Sequence, residues 1–116
     1  NDIRDVVCDR AAGTRTLAMA IGLRNSLLLY YGLCGGAFLG LAALIAAGLL
    51  PITALLTLAL APAVVRLCRS AAEGARGELA KMQVLEPNTA QFHFKFGMLM
   101  IMGIILFPFV ERWANQ

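Results

Sequence analysis

The 116 residues are 59% apolar and 15% charged, with a formal net charge of +3 and a mean hydropathy of +0.74. Such a composition excludes an ordinary soluble domain and describes a polytopic membrane protein. The ten basic residues fall in clusters between long uncharged runs, so the positive balance reports membrane topology and phosphate attraction, and no nucleic-acid partner is expected.

At the start of the chain, Asn1-Asp2-Ile3-Arg4-Asp5-Val6-Val7-Cys8-Asp9-Arg10-Ala11-Ala12-Gly13 carries three carboxylates spaced by three and then four residues. On a helix that spacing stacks Asp2, Asp5 and Asp9 on one stripe, with neighbours about 5 to 6 Å apart. Like charges at that separation repel by about 3 kcal/mol per pair at an effective dielectric near 20. A divalent cation relieves that repulsion, and oxygen-only ligands favour Mg²⁺, which bridges carboxylates to the phosphates of a substrate. The competing reading is a solvated helix end in front of a membrane span, the ordinary role of juxtamembrane acids.

Three spans follow. The first covers about 26–48, a run free of Asp, Glu, Lys, Arg and His and longer than the roughly 20 residues that cross a hydrocarbon core. Within it Gly32, Gly36 and Gly40 form a ridge for close helix approach, and Tyr30 and Tyr31 read as interfacial anchors. A second span covers about 50–68, with Pro51 suited to a first helical turn and Pro62 to a kink. Residues 70–86 then read as an amphipathic surface helix broken by Gly74 and Gly77. Asn88 with Gln91 resembles a capping box after Pro87, so a third span is expected over about 92–110, with His93 and Lys95 near its start. Cys8, Cys34 and Cys68 form no CxxC pair and read as small apolar fillers.

Arg4, Arg10, Arg15 and Arg24 precede the first span, and Arg66, Arg69, Arg76, Lys81 and Lys95 lie between the second and third. The positive-inside rule puts both groups in the cytoplasm and the 49–52 turn outside. The expected fold class is therefore all-α, a polytopic transmembrane helical bundle with three spans in this chain.

Residues 1–22, NDIRDVVCDRAAGTRTLAMAIG, resemble the second aspartate-rich motif of the UbiA-type membrane prenyltransferases. Arg4-Asp5, Asp9-Arg10, Ala12-Gly13 and Thr16-Leu17-Ala18 are most similar to the 1,4-dihydroxy-2-naphthoate group of that superfamily. Thr89-Ala90-Gln91 through Phe96-Gly97 to Gly103-Ile104-Ile105 and Pro108 resemble its last transmembrane helix. The resemblance implies a protein of about nine transmembrane helices, of which these residues are the C-terminal part of one domain, its aspartate motif in residues 1–18. An N-terminal half of the same protein would then supply the facing aspartate-rich motif. It further implies Asp5 and Asp9 as catalytic metal-diphosphate ligands, Asp2 as a weaker third, and Mg²⁺ as the metal. Arg10 and Arg15 would bind the substrate diphosphate, Thr14 standing where bacterial relatives commonly have Lys. The implied partners are a polyprenyl diphosphate, an aromatic acceptor and the lipid bilayer, in menaquinone biosynthesis at a bacterial inner membrane with the active-site loops cytoplasmic.

Homogentisate, chlorophyll and ether-lipid prenyltransferases carry similar strings and are the nearest rivals. CDP-alcohol phosphotransferases place their Gly ahead of the aspartates, whereas Gly13 follows them. A non-enzymatic membrane subunit or transporter predicts polar residues lining the spans, and the span centres have almost none.

Overall fold

A computed structural model describes residues 2–115, apart from the side chain of Val7; Asn1, the first residue of the aspartate motif, lies outside the described residues. Four α-helices and one 3₁₀ segment make up the described chain: α1 (Asp2–Ala11), α2 (Leu17–Ala46), the 3₁₀ segment (Ile52–Leu60), α3 (Ala61–Ala75) and α4 (Leu79–Ala114). They pack into a rod of 64 × 25 × 20 Å. No strand occurs among the described residues, and three stretches, Leu17–Ala46, Ile52–Ala75 and Leu79–Ala114, are long and apolar enough to cross a membrane.

The first span begins earlier than its uncharged run. Thr16 is the cap residue of α2, and its hydroxyl accepts from the Met19 N–H at 3.4 Å, which starts the helix ahead of Arg24. Gly22 interrupts it with φ 79° and ψ 161°, a conformation open to glycine at little cost. The far end closes in a Schellman arrangement. Gly48 is left-handed at φ 71°, while the Leu49 N–H bonds the Leu44 carbonyl and the Gly48 N–H bonds that of Ile45.

The second span departs further from expectation. It opens as nine residues of 3₁₀ helix after Pro51, which is the cap residue rather than part of the first turn. Pro62 produces no kink inside a helix; it occupies the first turn of α3 at the junction with the 3₁₀ segment, where its missing N–H has no intrahelical partner to lose. So long a 3₁₀ run is uncommon, and α4 approaches it closely. A Cβ added at Gly103 would lie 2.5 Å from the Thr53 carbonyl oxygen and 2.8 Å from the Ala54 Cα. The Thr53 hydroxyl also donates to the Gly103 carbonyl, and Ala54 and Thr57 are fully buried there.

Residues 70–86 do not form a separate surface helix. They are the last turns of α3 and the first turns of α4, joined by a tight turn at Gly77 with φ 111°. Lys81 bridges that turn to Glu73 at 3.4 Å. Asn88 and Gln91 accordingly form no capping box; they lie inside α4, which runs through both Pro87 and Pro108. Burial explains the continuation, because Met82 and Leu85 pack with Leu67 and Ala71 of α3 and with Phe92 in the core. Phe38 of α2 completes an aromatic cluster, its ring centroid 5.3 Å from Phe96 and 6.3 Å from Phe92. The glycine ridge of α2 takes no part in this packing: a Cβ at Gly32, Gly36 or Gly40 would meet nothing within 4 Å among the described residues.

Candidate functional site

Helix α1 presents the acidic stripe. Asp2 and Asp5 stand in its first turn and Arg10 in its last, the arrangement that the helix dipole favours at each end. Gly13, at φ 73°, stops the helix. The Thr14 N–H bonds the Asp9 carbonyl and the Gly13 N–H bonds that of Arg10, satisfying the last turn. Asp2, Asp5 and Asp9 thus share one helical face at i, i+3 and i+7; Asp2 is exposed, Asp5 and Asp9 half-buried.

The guanidinium of Arg4 engages one member of this stripe, Asp5. Its Nε donates to Asp5 Oδ1 and its Nη2 to Asp5 Oδ2, each at 2.7 Å, a two-point pair. Its Nη1 donates to Glu86 Oε2 of α4. Arg4 holds the Asp5 carboxyl below its ordinary range, and Asp5 in turn raises the Arg4 guanidinium. Arg4 and Glu86 are 82 residues apart in sequence, so the latch between α1 and α4 has no local signature.

Beside the latch lies an apolar cavity of about 600 Å³ between α1, α2 and α4, walled by Ile3, Met82, Leu85, Ala90 and Phe94. Arg4, Glu86, Tyr30, Thr89 and His93 supply its polar atoms. The Tyr30 hydroxyl pairs with Thr89 Oγ1 at 2.8 Å, and Thr89 donates onward to the Leu85 carbonyl. Tyr30 is therefore a link between α2 and α4 as well as a wall residue. Its tyrosine type and position suit an interfacial anchor, and only the fold shows the partner. His93 likewise reads in sequence as a wet helix-end residue, yet it lies on the cavity wall seven residues beyond Glu86, about 10 Å along α4.

None of Asp2, Asp5, Asp9, Arg10 and Arg15 lines this cavity. Asp2 lines a recess of about 170 Å³ with Ser26 and Tyr30. Arg10 is exposed and lines a pocket of about 380 Å³ that also includes Arg4, Gly77 and Met82. Arg15 is exposed in the connection between α1 and α2. Among the described residues, Asp2 and Asp9 have no ion pair, and no three His, Cys, Asp or Glu side chains group closely enough to hold a metal ion. The donor chemistry suits a hard cation, but these residues do not make a closed metal centre. They fit Mg²⁺ only as one wall of a site, with the remaining oxygens drawn from phosphates, water or a facing segment.

Neither the family models, nor curated proteins, nor solved structures compared with this chain give a match.

Proposed function

We propose that this chain forms one side of the catalytic cavity of a membrane-embedded prenyltransferase, which transfers a polyprenyl group from an allylic diphosphate to an aromatic acceptor. The observation that carries the reading is an apolar cavity of about 600 Å³ that α1 reaches through Ile3 and Arg4, Arg4 being the partner of Asp5 on the neighbouring acidic stripe. A polyprenyl diphosphate needs that pairing, a charged head site adjoining an apolar volume for its tail.

In this reading Asp5 and Asp9 hold the metal-diphosphate head, with Asp2 assisting, and Arg10 and Arg15 donate to diphosphate oxygens. Asp5 acts while shared with Arg4, because a carboxylate has lone pairs beyond the two that Arg4 occupies. Bound magnesium supplies charge neutralisation for the departing diphosphate. The allylic C–O bond then breaks, both electrons leaving with the diphosphate, and an electron-rich ring carbon captures the allylic cation. The apolar wall of Met82, Leu85 and Phe94 keeps water from that cation. With 1,4-dihydroxy-2-naphthoate as acceptor, the allyl group takes the place of the ring carboxylate, which departs as CO₂ and leaves its bonding electrons to the ring, giving the hydroquinone demethylmenaquinol; with an acceptor that carries hydrogen at the attacked carbon, that ring proton departs instead. Homogentisate, chlorophyllide and ether-lipid precursors are the alternative acceptors. The remaining helices of a roughly nine-helix protein and its facing motif belong to the same proposal, as does a cytoplasmic placement of α1 at a bacterial inner membrane.

The test is prenyl transfer by the full-length membrane protein in detergent, with and without EDTA, offering 1,4-dihydroxy-2-naphthoate, homogentisate and 4-hydroxybenzoate. Asp5→Ala and Asp9→Ala are each expected to lower kcat by about 10² or more, the scale for losing a group that stabilises developing charge. Transfer to a different acceptor would keep the chemistry and change the substrate. Activity surviving both substitutions would remove the acidic stripe from the reaction.

A second reading rests on the Arg4 pairing itself: the acids of α1 act as a structural latch to α4. It predicts that Glu86→Gln loosens α1 as much as Asp5→Ala does, with no metal dependence in either.

A further inference from the structure

A second polar cleft, of about 360 Å³, lies between α3 and α4 and contains Arg66, Ser70, Asn88, Gln91 and Lys95. On α4 its residues occupy the side turned away from the first cavity: 88, 91 and 95 are rotated by well over a quarter turn from 86, 89 and 93 at 100° per residue. The two sites are therefore separate, and the cleft owes nothing to the prenyl-transfer reading.

Two features set the cleft apart. The first is its charge. Arg66 and Lys95 both line it, while no carboxylate does among the described residues. Arg4 is paired with Asp5 and Glu86 and Lys81 with Glu73, whereas Arg10, Arg15, Arg24, Arg69, Arg76 and Arg112 have no ion pair among the described residues; what distinguishes the cleft is that it gathers two such cations without a carboxylate. Arg66 has no ion pair among the described residues, and Lys95 donates only to the neutral Gln91 Oε1, at 3.1 Å. The second feature is depth. No charged residue occurs between Arg24 and Arg66 or between Lys95 and Glu111, so each cation bounds the long uncharged part of its own span. The fold brings these two boundary cations, 29 positions apart in sequence, into one cleft.

We propose that this cleft binds a phosphate group at the level of the lipid headgroups. Arg66 and Lys95 are exposed at the ends of their uncharged stretches, where long cations reach the headgroup layer, and an oxyanion in the cleft would give them a charged partner. The Arg66 guanidinium offers a two-point fork to phosphate oxygens, Lys95 a compact charge, and Ser70 and Asn88 neutral donors. An anionic lipid and a water-borne phosphate ester present the same oxygens.

The experiment uses the full chain purified in detergent and stripped of lipid. Native mass spectrometry compares retention of dioleoylphosphatidylglycerol with dioleoylphosphatidylcholine, and calorimetry measures binding of inorganic pyrophosphate without lipid. At least one anion is expected to bind, and Arg66→Gln with Lys95→Gln is expected to weaken it about tenfold, in line with losing charge-assisted contacts. Arg66→Lys with Lys95→Arg should retain most of the binding, as should Arg112→Gln at the far end of α4. Should the double glutamine variant fail to fold, Asn88→Asp supplies the same test by placing a carboxylate in the cleft, again with a loss of about tenfold expected. Selective retention of the anionic lipid identifies a bilayer lipid as the source; pyrophosphate binding that vanishes in the variants identifies a soluble phosphate. Equal retention of both lipids with no pyrophosphate binding, or binding unchanged by the charge-removing variants, overturns the proposal.

Discussion

Gly103 and Gly36 are both glycines in membrane-spanning helices, yet they answer to different forces. At Gly103 the atoms that a Cβ would meet belong to the backbone of the 3₁₀ segment, which cannot rotate away as a side chain can. Gly103→Ala is expected to destabilise the chain by about 1–3 kcal/mol, the usual cost of overpacking, seen as a lower unfolding temperature in detergent. Gly36→Ala meets nothing within this chain and is expected to leave that temperature unchanged or raise it, as removing a helical glycine does. A smaller loss, about 0.5–1.5 kcal/mol, is expected for Tyr30→Phe, which deletes the hydroxyl link from α2 to Thr89. Thr89 keeps its bond to the Leu85 carbonyl, so no polar atom is stranded by the change.

At the scale of elements, the outcome turns on which signal wins at each boundary. Pro87 removes a helical hydrogen bond and crowds the carbonyl four residues before it, which is why a helix start just after it is the natural sequence reading. Burial of Met82 and Leu85 against α3 overrides that penalty. Leu85→Ala should therefore cost about 2–5 kcal/mol, and amide exchange across residues 79–86 should rise toward that of an unanchored segment. The uncharged runs made three apolar spans legible, because length and hydropathy decide them. The 3₁₀ winding of Ile52–Leu60 was not legible, since ITALLTLAL suits either helix and the segment's close contact, with Gly103, lies some 50 residues away in sequence. The candidate site divides in the same way. The i, i+3, i+7 stripe of Asp2, Asp5 and Asp9 is a local pattern, while the Arg4–Glu86 latch and the meeting of Arg66 with Lys95 exist only through tertiary packing.

For the whole molecule, three successive stretches long and apolar enough to cross a membrane put the 47–51 turn and the 76–78 turn at opposite ends of the second stretch, and so on opposite sides of a bilayer if each crosses it. Labelling with a membrane-impermeant maleimide tests this, in a background carrying Cys8→Ser, Cys34→Ala and Cys68→Ala. Leu49→Cys and Glu78→Cys, both at exposed positions, are expected to react from opposite sides of the membrane, and reaction from the same side would break the three-span arrangement. The 3₁₀ segment has a further effect on this geometry. A 3₁₀ helix climbs about 2.0 Å per residue against about 1.5 Å for an α-helix, so uncharged residues 52–65 reach about 25 Å instead of about 21 Å. The stretch is short for a hydrocarbon layer of about 30 Å, and the tighter winding recovers part of the deficit without an added residue. Hydrophobic mismatch is commonly met by tilting a helix or thinning the bilayer; here the 3₁₀ winding itself lengthens the span, by about 4 Å or most of a helical turn.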